Sequence, residues 1–315
     1  MTKTCDVWHT ADKGEVHKKV FHVVDYIRAQ QATQRDEALF HLELYSQGNV
    51  TGLGDRYTSI GDQLHEYLYS HGSNTRFNLA AAVCDTANSL IAQSPVVPMV
   101  LTTQGDFGLI RKAERRTQVL QGQFNKDTQE VVKRAFLDAA KVGTGLIHGY
   151  HDPMTGLPCV ERVHMLETYV EHTDGMYQKP RSMHRMKLVP RAVLAAQFPR
   201  HATKIEMAPG PRQDTVNDLI LAGAAHSSTH EFVEVVESWN LRTSKKNAKG
   251  RHTITIQNAD LLDEPYMHDK HPFVVLRYRE RDFGFWGAGL VESCRAAQNR
   301  INELIAKVSR AQDLG

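Results

Sequence analysis

The chain has 315 residues, a formal charge of +2, 41% hydrophobic and 23% charged side chains; that balance excludes an intrinsically disordered chain and suffices for a core without a metal or disulfide staple. Its four cysteines, Cys5, Cys84, Cys159 and Cys294, include no C-x-x-C pair, which excludes a zinc ribbon or redox motif and predicts reduced thiols. The opening residues carry no apolar signal core, and no stretch reaches the ~18 apolar residues of a membrane span, so the sequence predicts a soluble protein made in a cytoplasm, without a membrane partner.

In chain order, Val16, Val20, Val23, Val24 and Ile27, followed by Leu39, Leu42 and Leu44, predict one helical stretch over 15–47 that stops at Gly48. A glycine-punctuated loop follows over 48–62. Asn74 is the expected cap of a helix through NLAAAVCDTANSLIAQ, which Pro95 ends. After the extended PVVPMVLTT come two amphipathic helices at about 107–124 and 127–142, with Asp127 as cap and Gly143 as stop of the second. The pattern then turns to β: GLIHGYHD and LPCVERV predict a hairpin, and further strands are predicted at 182–189, 231–241 and HTITIQ, the last two joined by a Lys-rich turn over 244–250. Short helices at about 190–198 and 214–223 interrupt them. The strand HPFVVLRYRE leads through FGFWGAG into a final amphipathic helix over about 288–311. Helices first and strands later is an α+β pattern.

Charge is unevenly spread. From Lys179 to Arg212 eight bases face Glu206 alone, among them Arg181, Arg185, Lys187 and Arg191, and residues 242–251 add Arg242, Lys245, Lys246, Lys249 and Arg251 without an acid. Such blocks steer polyanions, form a solvated face or meet an acidic neighbouring subunit. The segment 152–174 goes the other way, with Asp152, Glu161, Glu167, Glu171 and Asp174 against Arg162. Glu231, Glu234 and Glu237 alternate faces along a strand and are expected to be solvated.

Catalytic patterns are missing. Neither G-x-x-x-x-G-K-[ST] nor G-x-S-x-G occurs, and Gly143-Thr144-Gly145 sits between helix and strand, the reverse of a dinucleotide loop. Gly284, Gly287 and Gly289 follow a strand and precede a helix, but Phe285 and Trp286 crowd the turn. The pairs His148/His151 and His268/His271 lack a local third ligand, so no metal is expected, and no catalytic residue or cofactor either. The final helix stands out instead: Leu290, Cys294, Ala297, Ile301, Leu304, Val308 and Ala311 are spaced 4, 3, 4, 3, 4, 3, a narrow apolar seam among polar residues that include Arg300 and Lys307.

In HPFVVLRYRERDFGFWGAGLVESCRAAQNRINELIAKVSRAQ, a Pro-Phe strand precedes an aromatic-glycine turn and a helix carrying Val291-Glu292, Gln298 and Asn302. FNLAAAVCDTANSLIAQSPVVP, GTGLIHGYHDP, the stretch Met165 to His172 with Lys179-Pro180-Arg181, and Phe198 to Arg200 lie upstream in order. This set, from about residue 75 onward, resembles the portal proteins, or head-to-tail connectors, of tailed bacteriophages, especially the short-tailed kind. The resemblance implies a mixed α/β wing followed by a long amphipathic stem helix: an N-terminal helical part of the wing over 1–74, the wing domain over 75–285 and the stem over 286–315. It also implies a homo-oligomeric ring of about twelve subunits at one capsid vertex, a virion location with assembly in the host cytoplasm, and passage of double-stranded DNA in packaging and ejection. Terminase, capsid and tail or adaptor proteins are the implied partners. On this pattern Leu290, Cys294, Ala297, Ile301, Leu304 and Val308 are stem or subunit contacts, and Arg181, Arg185, Lys187, Arg191, Arg300 and Lys307 meet DNA or a neighbouring subunit. Family members continue through a clip, a second stem helix, a tunnel loop and a crown, so this sequence is expected to be an N-terminal portion. Two rivals stay open: another phage or prophage structural or nucleic-acid-binding protein, and an enzyme at the basic block, which lacks a nucleophile, base and orienter.

Overall fold

A computed structural model describes residues 5–46, 77–92, 97–102, 105–124, 126–152, 156–212, 231–242 and 250–313. Two helices, α1 (Val16–Gln30) and α2 (Ala32–Ser46), replace the single one expected over 15–47. The break is at Gln31, whose N–H still reaches the Ile27 carbonyl at 2.9 Å while its buried side chain donates to the Val170 carbonyl. With Gln31 held there, α1 lies on a sheet and α2 joins a layer of helices. That layer holds α3 (Leu79–Ala92) and α5 (Lys126–Val142); between them comes α4 (Phe107–Gln123). Asn78 caps α3, its Oδ1 accepting from Ala81 N at 2.9 Å; Asn74 lies outside the described residues, as does the loop over 48–62. Helix α5 begins at Lys126, so Asp127 falls inside its first turn.

All strand pairings in the two sheets are antiparallel. The smaller sheet has the order β2-β1-β8, from β1 (Thr144–His151), β2 (Pro158–Val163) and β8 (Phe273–Arg277), and contains the expected hairpin with Leu146 opposite Val163. The larger follows the chain as β3 (Thr168–Tyr169), β4 (Ser182–Pro190), β5 (Phe232–Asn240), β6 (Gly250–Ile256) and β7 (Ala259–Tyr266). Edge strand β7 was not expected from sequence; its acids and Pro265 mask the alternation, and an edge tolerates both. The expected helix at 214–223, and the Lys-rich turn apart from Gly250, lie outside the described residues. Two short helices, α6 (Arg191–Gln197) and α7 (Ala202–Glu206), and the closing helix α8 (Leu290–Asp313) complete the α+β fold. Among the described residues no helix is long and apolar enough to cross a membrane.

Burial follows the periodicities. On one face of the larger sheet, Val16, Val20, Val24 and Ile27 of α1, with Trp8, pack against Tyr169, Met186 and Val236. On the other, Leu194 and Ile205 pack against Val233, Val235 and Ile256. Helix α5 backs the smaller sheet, and Leu39, Val142, Leu146, Met183, Phe285 and Trp286 fill the space between helices and strands. Gly143 ends α5 at φ +92°, and a Cβ there would stand 2.3 Å from the Gly287 carbonyl oxygen. The two glycine clusters seen in the sequence therefore serve one close backbone crossing, where Gly287 N–H also donates to Thr144 Oγ1 at 2.8 Å.

Candidate nucleic-acid and subunit interface

The terminal helix divides in two. Its first half is docked on its own chain: Val291 is fully buried with Leu44, Ala80, Cys84 and Ala140, and Gln298 is buried two turns on. The Gln298 amide oxygen accepts from Ala80 N at 3.0 Å and its nitrogen donates to the Phe77 carbonyl at 2.6 Å, so α8 supplies part of the cap of α3. Glu292 pairs with Arg281 at 2.8 Å, and Arg295 lies 4.4 Å above the Phe40 ring. The buried line thus runs through Val291 and Gln298, with Leu290 and Cys294 half-buried beside it, whereas Ala297 is exposed. Relative to the expected seam, the inward face is turned by about one residue, because α3 needs the Gln298 amide. The second half is different. Ile301 is half-buried, Leu304 is 47% exposed and Val308 58% exposed. Arg300 pairs with exposed Glu303 at 2.9 Å, and Lys307 is exposed.

The basic segments divide: Lys179, Arg181, Arg200 and Lys204 are exposed, whereas Arg185, Arg191, Arg212 and Arg251 are held by groups of their own chain. Arg185 is 4% exposed and sits between the two sheets, where its guanidinium donates to Glu161 and, at 3.3 Å, to Glu167. This corrects the assignment of Arg185 to DNA or a neighbour: its charge is already spent on two carboxylates of its own chain. Arg191 is corrected likewise, since it donates to the carbonyls of Ile205, Glu206 and Ala208 and pairs with Glu231. Arg212 binds Glu234 at 2.8 Å and also Asp25. In the second basic segment Arg251 is bidentate on Asp263, at 2.8 and 2.9 Å, and Arg242 pairs with Asp269. Lys187 is half-buried near Glu161 and Glu237, and Arg181 is exposed, with its backbone N–H on Asp174.

The acids are corrected too. Glu234 is buried against Arg212, and Glu237 is held by His252 at 2.9 Å; Glu231 alone of the three is exposed. The result is an inter-sheet cluster that sequence reasoning missed. His148 meets Glu161 at 3.0 Å, His252 bridges Glu237 and Glu264, and Trp239 stacks on His252 while meeting Phe273 edge-on. Burial pushes the Glu161 carboxyl up, but hydrogen bonds from His148 and Arg185 outweigh it and hold it at about 2. Burial also works against a charged His252, yet Glu237 and Glu264 raise its pKa. Burial raises Glu167, and Arg185 offsets part of that. Arg185 of the larger sheet reaches Glu161 of the smaller across the junction, while His148–Glu161 and Glu237–His252–Glu264 pair within their own sheets on either side of it, which makes the cluster a lock between sheets. Among the described residues no three His, Cys, Asp or Glu side chains gather as metal ligands, and His148 and His151 point to opposite sides of β1. No protein-family model matches the chain, and no curated protein matches it either.

Proposed function

We propose that the chain is the wing and the start of the stem of a ring-forming DNA conduit of the tailed-phage portal type, with no catalytic site of its own. The observation that carries this reading is α8. A helix whose first half is fixed by Val291 and Gln298, and whose second half presents Leu304 and Val308 uncovered among polar residues, is built to be completed by like helices from neighbouring copies. The inter-sheet lock suits a wing that must hold its shape while the helix is gripped from both sides. In this reading the partners are further copies of the chain, double-stranded DNA, and the terminase, capsid and tail proteins.

Electron microscopy of the purified chain tests it: rings with a central hole are the expected result. Leu304→Asp and Val308→Asp place a charge on surface already in water, so the wing keeps its circular dichroism spectrum while the rings are lost. Val291→Asp, by contrast, buries an unpaired charge and unfolds the helix layer. Rings that survive both distal substitutions sink the stem assignment.

A further inference from the structure

We infer that the outward face of α4 binds a nucleic-acid phosphate backbone without reading its sequence. This helix carries Arg111, Lys112, Arg115 and Arg116 against one acid, Glu114. All four bases are exposed, and none makes a hydrogen bond or ion pair among the described residues. They contrast with Arg185, Arg191, Arg212 and Arg251, whose side chains are committed to partners within the fold, and with Arg242, which is paired at the surface with Asp269.

Helix geometry puts the four on one side. At 3.6 residues per turn, positions 111, 112, 115 and 116 fall within about 140° of arc, and their Cα atoms span about 7.5 Å of axis. The opposite side is the one that touches the chain: Ala113 is buried there, and Thr117 Oγ1 accepts from Val100 N at 3.0 Å. The extended residues 97–102 run along this inner side, with Met99, Leu101 and Ile110 lining the groove between them and the helix. Asp106 caps the helix, its Oδ1 accepting from Gly108 N. The bases therefore stand on a capped helix braced by residues 97–102 and lie on the side away from that brace.

That arrangement suits a phosphate backbone better than its competitors. A membrane-surface helix lays its apolar side into the lipid with bases at the rim, but here the Ile110 and Ala113 side faces residues 97–102 and the bases form the outer face. A protein partner is recognised through a desolvated apolar centre depleted of charge, which is the reverse of this composition. Phosphate oxygens ask for exposed guanidinium and ammonium groups, and such contacts carry no base information. The choice of duplex over single strand rests on the conduit reading above; the cationic face does not.

The test uses the full 315-residue chain, two duplexes of unrelated sequence, and fluorescence anisotropy over a range of salt. Glutamine keeps helix propensity, so R111Q/K112Q/R115Q/R116Q should keep its circular dichroism spectrum and its oligomeric state. Binding of both duplexes should weaken alike, and the slope of log affinity against log salt should fall by about 3.6, at about 0.9 per contact. Glu114→Gln should tighten binding of both. Absence of duplex binding by the unaltered chain, or an unchanged slope in the fourfold variant, overturns the inference. So does a preference for one sequence, stronger binding to phosphatidylserine vesicles than to duplex, or loss of assembly with duplex binding intact. A chain that binds duplex through these bases but never forms rings keeps this inference and removes the conduit. Rings with an unchanged salt slope do the reverse.

Discussion

Replacing Arg185 by Met would show whether the basic middle of the chain serves the fold or a ligand. Met keeps the length of the apolar stem and removes the guanidinium, leaving Glu161 and Glu167 facing each other at the sheet junction. Breaking a buried pair by removing one partner costs about 3–5 kcal/mol. The carboxylates keep 35% and 26% side-chain exposure, so water relieves part of the penalty and the lower end, about 3 kcal/mol, is expected. With a urea dependence of about 2 kcal/mol/M, the midpoint falls by about 1.5 M, read from the fluorescence of Trp239 beside the cluster. The acid limb should change as well. In the unaltered chain the Glu161 carboxyl is held at about 2 against a usual 4.5, so its stabilisation is complete above 4.5 and is lost as pH falls towards 2. Without Arg185 the Glu161 carboxyl is held less far below 4.5, so less stabilisation is lost, and the loss still begins near 4.5 but ends at a higher pH. A stability change under about 1 kcal/mol, together with weaker duplex binding at full assembly, would refute the inward placement of this charge.

Glu43 gives the opposite pH dependence. Burial pushes its carboxyl up to about 7 and its Oε2 has no hydrogen-bond partner among the described residues, so its stability contribution is full below 4.5 and is lost as pH rises through 7; Glu43→Gln should remove that slope and stabilise the chain above pH 7 by up to about 3 kcal/mol in denaturant titrations. Gln298→Ala should cost about 1–2 kcal/mol, because Ala80 N–H loses its acceptor, and hydrogen exchange should rise first in the opening turn of α3; protection there equal to the unaltered chain would argue against the cap.

The order of elements was legible because the periods are strong: Val16, Val20, Val24 and Ile27 mark α1, and Thr253 to Ile256 alternate in β6. The break at Gln31 was not, since the polar residues and alanines between Ile27 and Ala38 suit an unbroken helix equally well and its cause is a carbonyl 139 residues away. Nor was the burial of Glu234 and Glu237. Their partners Arg212 and His252 come from other segments, and an acid on a strand has the same local pattern whether water or a guanidinium receives it. The seam of α8 was legible as a seam but not in its phase, which is fixed by the open first turn of α3. The basic block was legible as charge but not in its division, with Arg185 buried and Lys179, Arg181, Arg200 and Lys204 exposed, whereas the four bases of α4 were passed over because a run of four looks modest beside a run of eight.

That inversion has a physical reason. A base on a central strand such as β4 has neighbours on both sides and a sheet face above it, so it is desolvated by the act of folding and persists only if a carboxylate comes with it. The acidic stretch that begins at Asp152 supplies Glu161 and Glu167 to Arg185 for that purpose, while Arg191 and Arg212 find Glu231 and Glu234 on β5 and beside it. A base on a helix that touches its chain along one line meets no such demand and keeps its water. Density of charge along the sequence therefore reports where the fold needs internal neutrality, and the charges left for a partner sit where packing is thinnest. Among the described residues two such places are the outer face of α4, which is cationic, and the distal half of α8, which is apolar at Leu304 and Val308. The first suits a polyanion and the second a like helix, so the two proposed contacts, with nucleic acid and between copies, would fall on separate elements, each open to change without disturbing the other.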